Sequence, residues 1–331
     1  MRILYAIQGT GNGHVSRARD VIPCLQKHGE VELLISGIQS DVGLAWPVRY
    51  QFYGLSFIFG QKGGIDLKTS ITKLRPWRFF RDLYRLRVQD YDLVITDFEP
   101  VSAWACRLRG KKCYGLSHQS AFLSSLTPRP DYMRAPFAEF ILRHYAPITD
   151  YIGFHFECYD QRISTPVIRE EVRQLRPAQT GPILVYLPAY ADDLLVAHFQ
   201  QLAEYRWLLF SKHTRVVHQL ENVQISPVSN TAYLEALASC SAVLTGGGFE
   251  APAEALFLGK KIMVIPMKGQ YEQHANAVAA ARLGASVVRE IKAGFSVQLR
   301  EWLLKPAPPI QNFPNNTQEV VDKAIQTWYT A

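Results

Sequence analysis

Gly9-Thr10-Gly11-Asn12-Gly13-His14 follows a short apolar run and leads into residues at helical spacing. Consecutive glycines let backbone N–H groups come close to an anion or a sugar, and a histidine where such a turn opens a helix is placed to take a proton near neutral pH. Thr96-Asp97-Phe98-Glu99-Pro100 ends another apolar run and offers two carboxylates. Asp97 and Glu99 can act as bases or orient a histidine; equally, they can cap the helix that begins near Val101. Ser117-His118-Gln119 places a second histidine after a further apolar run.

A second set of residues suits a nucleoside diphosphate. Thr245-Gly246-Gly247-Gly248-Phe249-Glu250 lies between a strand-like run and a helix with Pro252 near its first turn. The unpaired N–H groups of such a helix start, with the positive end of its dipole, favour a diphosphate. Glu254, one turn on, can accept two hydrogen bonds from the vicinal hydroxyls of a ribose. The polar loop from Pro266 to Asn276 presents Gln270, Glu272 and Gln273 to sugar hydroxyls, and Lys212 or Lys268 can add positive charge.

Other chemistries fit less well. A dinucleotide fingerprint needs glycine where His14 stands and an acid at the end of the second strand, where Ser36-Gly37 is found. Asp90-Tyr91-Asp92 has the form of a metal-bridging pair but precedes a strand, on the wrong edge for a cleft, so no metal and no resident cofactor are expected. Five cysteines without a CxxC pair read as core residues of a reducing compartment.

Short apolar runs alternating with helical spacing must position these groups. Strands are expected at 3–7, 31–36, 92–96 and 113–116, and again at 183–187, 207–211, 223–225, 242–245 and 261–265. Helices are expected at 16–27, 101–109, 194–204, 231–238, 251–258, 273–283 and 317–330. This is an α/β pattern of two parallel sheets, with ligands at the carboxyl ends of the strands. The expected division is an N-terminal Rossmann-like domain over 1–176, a second over 177–314, and a C-terminal helix over 315–331.

At Gly9 to His14, and over Gly246 to Asn276 with its Gly-Gly-Gly-x-x-Ala-Pro-Ala-Glu-Ala run, the chain resembles glycosyltransferases of the two-Rossmann-domain (GT-B) kind. The likeness is to the family 28-like group around the bacterial peptidoglycan N-acetylglucosaminyltransferases and, more distantly, to the UDP-glycosyltransferases. It extends over nearly the whole chain. It implies a facing cleft, a C-terminal helix returning to the first domain, and inverting transfer of a sugar from a nucleotide diphosphate donor, UDP-linked, to a hydroxyl. By the same resemblance the backbone of Gly246, Gly247, Gly248 and Phe249 holds the diphosphate, Glu254 the ribose, and Glu272 and Gln273 the donor sugar. Pro227 and Val228 lie against the base, while Gly11, Asn12, Gly13 and His118 face the acceptor. His14 is the first choice of general base. One departure is Leu187-Pro188-Ala189-Tyr190, which stands where the family has a Gly-Gly-Ser-type loop. Two alternatives share the architecture: a non-hydrolysing nucleotide-sugar 2-epimerase, and a nucleotide-sugar-binding protein without catalysis.

With 331 residues, 48% hydrophobic and 20% charged, the chain suits two folded domains, and its net charge of +7 suits anionic partners. No run of 18 apolar residues occurs, so the expected location is cytoplasmic. Residues 73–87 combine six arginines and lysines with Trp77, Phe79, Phe80 and Tyr84. They read either as an interfacial helix for an anionic bilayer, suited to a lipid-linked acceptor of cell-envelope glycan, or as a helix packing Phe79, Leu83 and Leu86 on the core. No nucleic-acid-binding motif accompanies them.

Overall fold

The computed structural model describes residues 1–10, 12–37, 44–55 and 75–330. Gly11 and residues 73–74, named above, lie outside the described residues. The first sheet is formed by β1 (Arg2–Gln8), β2 (Glu30–Ser36), β3 (Val48–Phe52), β4 (Leu93–Asp97), β5 (Tyr114–Ser117), β6 (Asp150–Phe154) and β7 (Ile163–Ser164). All its pairings are parallel, in the order β3-β2-β1-β4-β5-β6-β7. The connecting helices are α1 (Asn12–Gln26), α2 (Pro76–Arg85), α3 (Pro100–Leu108) and α4 (Pro136–His144). Because helices cover both faces, β1 and β4 are apolar almost throughout and wholly buried from Ile3 and Leu93 onward.

After the short helix α5 (Glu170–Arg173), the second sheet takes β8 (Ile183–Tyr186), β9 (Trp207–Ser211), β10 (His218–Leu220), β11 (Val223–Pro227), β12 (Ala242–Gly246), β13 (Lys261–Ile265) and β14 (Ser286–Val287). Its order is β10-β11-β9-β8-β12-β13-β14, with β10 alone antiparallel. The helices α6 (Asp192–Phe199), α7 (Asn230–Ser239), α8 (Glu250–Phe257), α9 (Tyr271–Arg282) and α10 (Phe295–Leu304) cover it.

In each sheet the strand order reverses once, between β1 and β4 in the first and between β8 and β12 in the second. Such a reversal splays the loops at the strands' carboxyl ends and opens a crevice there. His14 and Asp97 follow or end the strands of the first reversal, and the triple glycine follows β12 at the second. The two crevices face each other.

The last helix, α11 (Thr317–Thr330), returns to the first sheet as expected. Trp328 stacks on Tyr114 at 5.0 Å between ring centroids, its carbonyl accepts from the Tyr114 hydroxyl at 3.0 Å, and Asp322 meets His28 at 2.7 Å.

Candidate functional site

Phe98, just past β4, has φ of 57°, a left-handed conformation that is uncommon for a bulky non-glycine residue. The sharp turn separates its two neighbours. Asp97 points across to α1, where its Oδ1 lies 2.8 Å from Nδ1 of His14. Glu99 goes the other way, accepting from Val101 N and Ser102 N at the start of α3 and from the Ser36 hydroxyl at 2.6 Å. Of the two carboxylates considered as catalytic, the structure brings only Asp97 to His14; Glu99 is a fully buried helix cap.

Asp97 is fully buried, and burial would push its carboxyl up, but the Arg17 guanidinium and His14 hold it below the usual range. Arg17 Nη2 donates to both its oxygens, at 2.6 and 2.8 Å. With Nδ1 turned to Asp97, the other imidazole nitrogen is left for a substrate proton. Gln119 Nε2 lies 3.5 Å from that Nε2 and donates to Glu272 Oε1 at 3.0 Å.

The opposite wall belongs to the second sheet. Gly246, Gly248, Phe249 and the start of α8 line the cleft. Gly247 is instead engaged behind it: its N–H donates to Gln273 Oε1 at 3.2 Å and its carbonyl accepts from Asn276 at 3.1 Å. Gln273 Oε1 also accepts from Met267 N at 2.9 Å, so this side chain braces the loop that it lines. Gln270 lines the cleft too while capping α9 through Gln273 N at 3.0 Å. Glu254 reaches the cleft but is already gripped by Arg169, whose Nε and Nη2 meet its two oxygens at 2.5 and 2.9 Å. Such a fork occupies one lone pair on each oxygen and leaves another on each for hydroxyl donors.

Between the walls lies a cleft of about 710 Å³. Asn12, Gly13, His14, His118, Glu272 and Val228 border it; Pro227 does not. The Leu187-Pro188-Ala189-Tyr190 loop and Lys212 complete its second-sheet side, whereas Lys268 lies outside, 3.4 Å from Glu290. Burial raises Glu272 to about 7, against the pull of His14, Gln119 and Arg17. Burial pushes His118 down to about 4, so it is neutral at pH 7. His118 stacks on Phe249 of the other half, at 3.9 Å and 7°, and its ring nitrogens approach Phe154 O and Asn276 Oδ1 at 2.8 and 2.9 Å.

Sequence reasoning did not single out Arg17, Arg169, Glu250 or the aromatic group of Tyr186, Phe210 and Tyr233 beside Val228. Arg17, three residues past His14 on a helix, carried a readable signal, since residues at that spacing share a face. Arg169 carried none, because its partner Glu254 is 85 positions away. Asp90 and Asp92 lie away from the cleft, Asp90 beside Arg87 at 3.2 Å and Asp92 accepting from Arg2 N at 2.7 Å. Among the described residues no group of three or more His, Cys, Asp or Glu side chains is gathered as a metal site.

Solved structures with this architecture cover the whole molecule. MurG of Acinetobacter baumannii shares 17% identity over 98% of this chain and 99% of its own, with a TM-score of 0.57. The spinosyn forosaminyltransferase SpnP shares 14% over all of both chains at 0.57, and LpCGTa, solved with UDP, shares 12% over 100% and 99% at 0.63. At such identities the likeness is one of fold, the GT-B arrangement of two facing α/β sheets. No curated protein matches the chain significantly. The sequence model described as glycosyl transferase family 1 matches residues 1–299, which sets the epimerase alternative aside. With a family match over most of its length and a cleft of this form, the chain is a glycosyltransferase and belongs to glycosyl transferase family 1.

Proposed function

We propose that the chain transfers a sugar from a uridine diphosphate donor to a hydroxyl acceptor, with inversion and without a metal ion, using His14 as general base. The observation that carries this reading is His14, held by the buried Asp97 behind it, on one wall of a cleft whose other wall is a glycine-rich helix start. His14 Nε2 accepts the acceptor's proton as its oxygen bonds to the anomeric carbon. The bond from that carbon to the diphosphate breaks, and the electron pair leaves with the diphosphate. The N–H groups at the start of α8 and the helix dipole stabilise the departing charge. Single displacement by the acceptor inverts the anomeric centre.

Glu254 takes the ribose hydroxyls, Val228 and the nearby aromatic rings take the base, and Gln270, Glu272 and Gln273 surround the sugar. The UDP bound in LpCGTa supports a uridine donor here. We place the domain division at 176/177 and the activity in the cytoplasm.

The acceptor is a lipid-linked saccharide of the cell envelope, presented at the inner face of the membrane. On α2, Trp77, Phe80 and Tyr84 are exposed at 86%, 61% and 86%, interleaved with Arg78, Arg81 and Arg85, while Leu83 packs inward. This is the form of a helix that sits in an anionic interface while its other face holds the core. The core-packing reading holds for the Leu83 face, and the exposed aromatic and arginine side chains support the interfacial reading for the other. No described helix is long and apolar enough to cross a membrane.

The test is transfer of labelled sugar from UDP-, GDP- and dTDP-linked donors in EDTA to polyprenyl-diphosphate saccharides. Transfer from one UDP-sugar, lost in His14→Ala, supports the reading; transfer that requires added Mg²⁺, or that survives His14→Ala, overturns the corresponding part.

A further inference from the structure

Arg17 lies one turn past His14 on α1, and its side chain does not line the cleft. It is 2% exposed, yet it is a permanent cation. Its guanidinium gathers groups from three elements. Nη2 donates to both oxygens of Asp97 of β4 at 2.6 and 2.8 Å and so lies 3.2 Å from His14 Nδ1, which shares that carboxylate, while Nη1 makes a short ion pair with Glu250 of α8. Nε has no hydrogen-bond partner among the described residues. The Glu250 carboxylate is packed so closely on α1 that a Cβ on Gly13 would fall on it.

A lone carboxylate beside an enclosed imidazole favours the imidazolium, which cannot accept a proton. With Arg17 on both oxygens of Asp97, the carboxylate's charge is already countered. Nδ1–H can then remain donated to Asp97 without the ring taking up a second proton. The charged and titratable groups around the His14–Asp97–Arg17 cluster are Tyr5 from the first half, beside Asp97 and Arg17, and Glu250 and Glu272 from the second; Gln119 adds an uncharged amide.

We propose that Arg17 is a positioning residue for His14: it holds and neutralises Asp97 so that Asp97 keeps the Nδ1 side of the ring and leaves Nε2 to accept the acceptor's proton, while Glu250 of α8 competes for the Arg17 charge. The inference rests on the reading of His14 as the base, and its test is independent of any substrate.

Histidine-labelled full-length protein is titrated by NMR, the His14 signal being assigned by its loss in His14→Ala. In Arg17→Gln the His14 midpoint rises by about one pH unit or more, because an unshared carboxylate now faces the ring. In Arg17→Lys, which keeps the charge, it stays within a few tenths of wild type. In Glu250→Gln it falls, because a competing negative charge has gone. A midpoint in Arg17→Gln at or below that of wild type, or a Lys variant behaving like the Gln variant, overturns the proposal. Should Arg17→Gln not fold, Glu250→Gln decides alone, and a midpoint that does not fall overturns it. If the titrations behave as stated but His14→Ala transfers sugar at the wild-type rate, the assignment of the base fails and the hold of Arg17 on Asp97 stands.

Discussion

His14 and Asp97 are 83 positions apart, yet each was legible as a candidate, because a glycine turn after one strand and a carboxylate ending another both lie at the carboxyl ends of strands, where ligands bind. Glu99 was not separable from Asp97 in the sequence: two acids flanking one turn look alike until Phe98's left-handed backbone sends them to opposite sides. Arg169 was beyond reach, since a long-range ion pair leaves no local pattern. His14→Ala is expected to lower kcat by roughly 10²–10⁴, the usual worth of general base catalysis, with nucleotide affinity unchanged in a calorimetric titration. Glu272 gives a prediction about stability. Its folded-state value, about 7, exceeds that of an unfolded chain, so its contribution is fully present below about 4.5 and is lost as pH rises through 7. Glu272→Gln should therefore raise Tm relative to wild type at pH 8, and the difference should vanish by pH 5. An equal difference at both values would show that Glu272 is not held protonated by burial.

Element existence was readable where strands are buried on both faces. β1, β4, β12 and β13 are near-continuous apolar runs because helices cover them above and below. β3 escaped because its residues Val48–Phe52 alternate between exposed and half-buried at the sheet edge, and β6 because Asp150 and Gly153 dilute its apolar signal. α10 was missed although Phe295, Leu299 and Trp302 hold helical spacing. The element with the most to reveal is α2. Replacing Trp77 and Phe80 by Ser should weaken sedimentation with vesicles rich in anionic lipid by tenfold or more, about 1.4 kcal/mol, while Tm stays put, because both rings are exposed. Unchanged sedimentation would leave α2 as a helix that serves only the core.

At the scale of the molecule, apolar packing runs continuously from the first sheet to the second through Phe156, Ile168, Val172, Phe249 and Phe313. The polar ties Arg17–Glu250, Gln119–Glu272 and Tyr271–Glu139 also join the two halves. The returning helix α11 adds a third bond between the chain's ends. Trp328→Ala should cost about 3–5 kcal/mol in denaturant unfolding, the range for deleting a large buried aromatic residue, and a loss below about 1 kcal/mol would mean that α11 is only loosely attached. The central claim, a metal-free nucleotide-sugar site across this cleft, is tested most directly by calorimetric titration of wild type and Glu254→Ala with UDP and UDP-sugars in EDTA. Micromolar binding that weakens at least tenfold in the variant, about 1.4 kcal/mol, is the expected result. Absence of binding by any uridine nucleotide, or equal binding by both proteins, would contradict it.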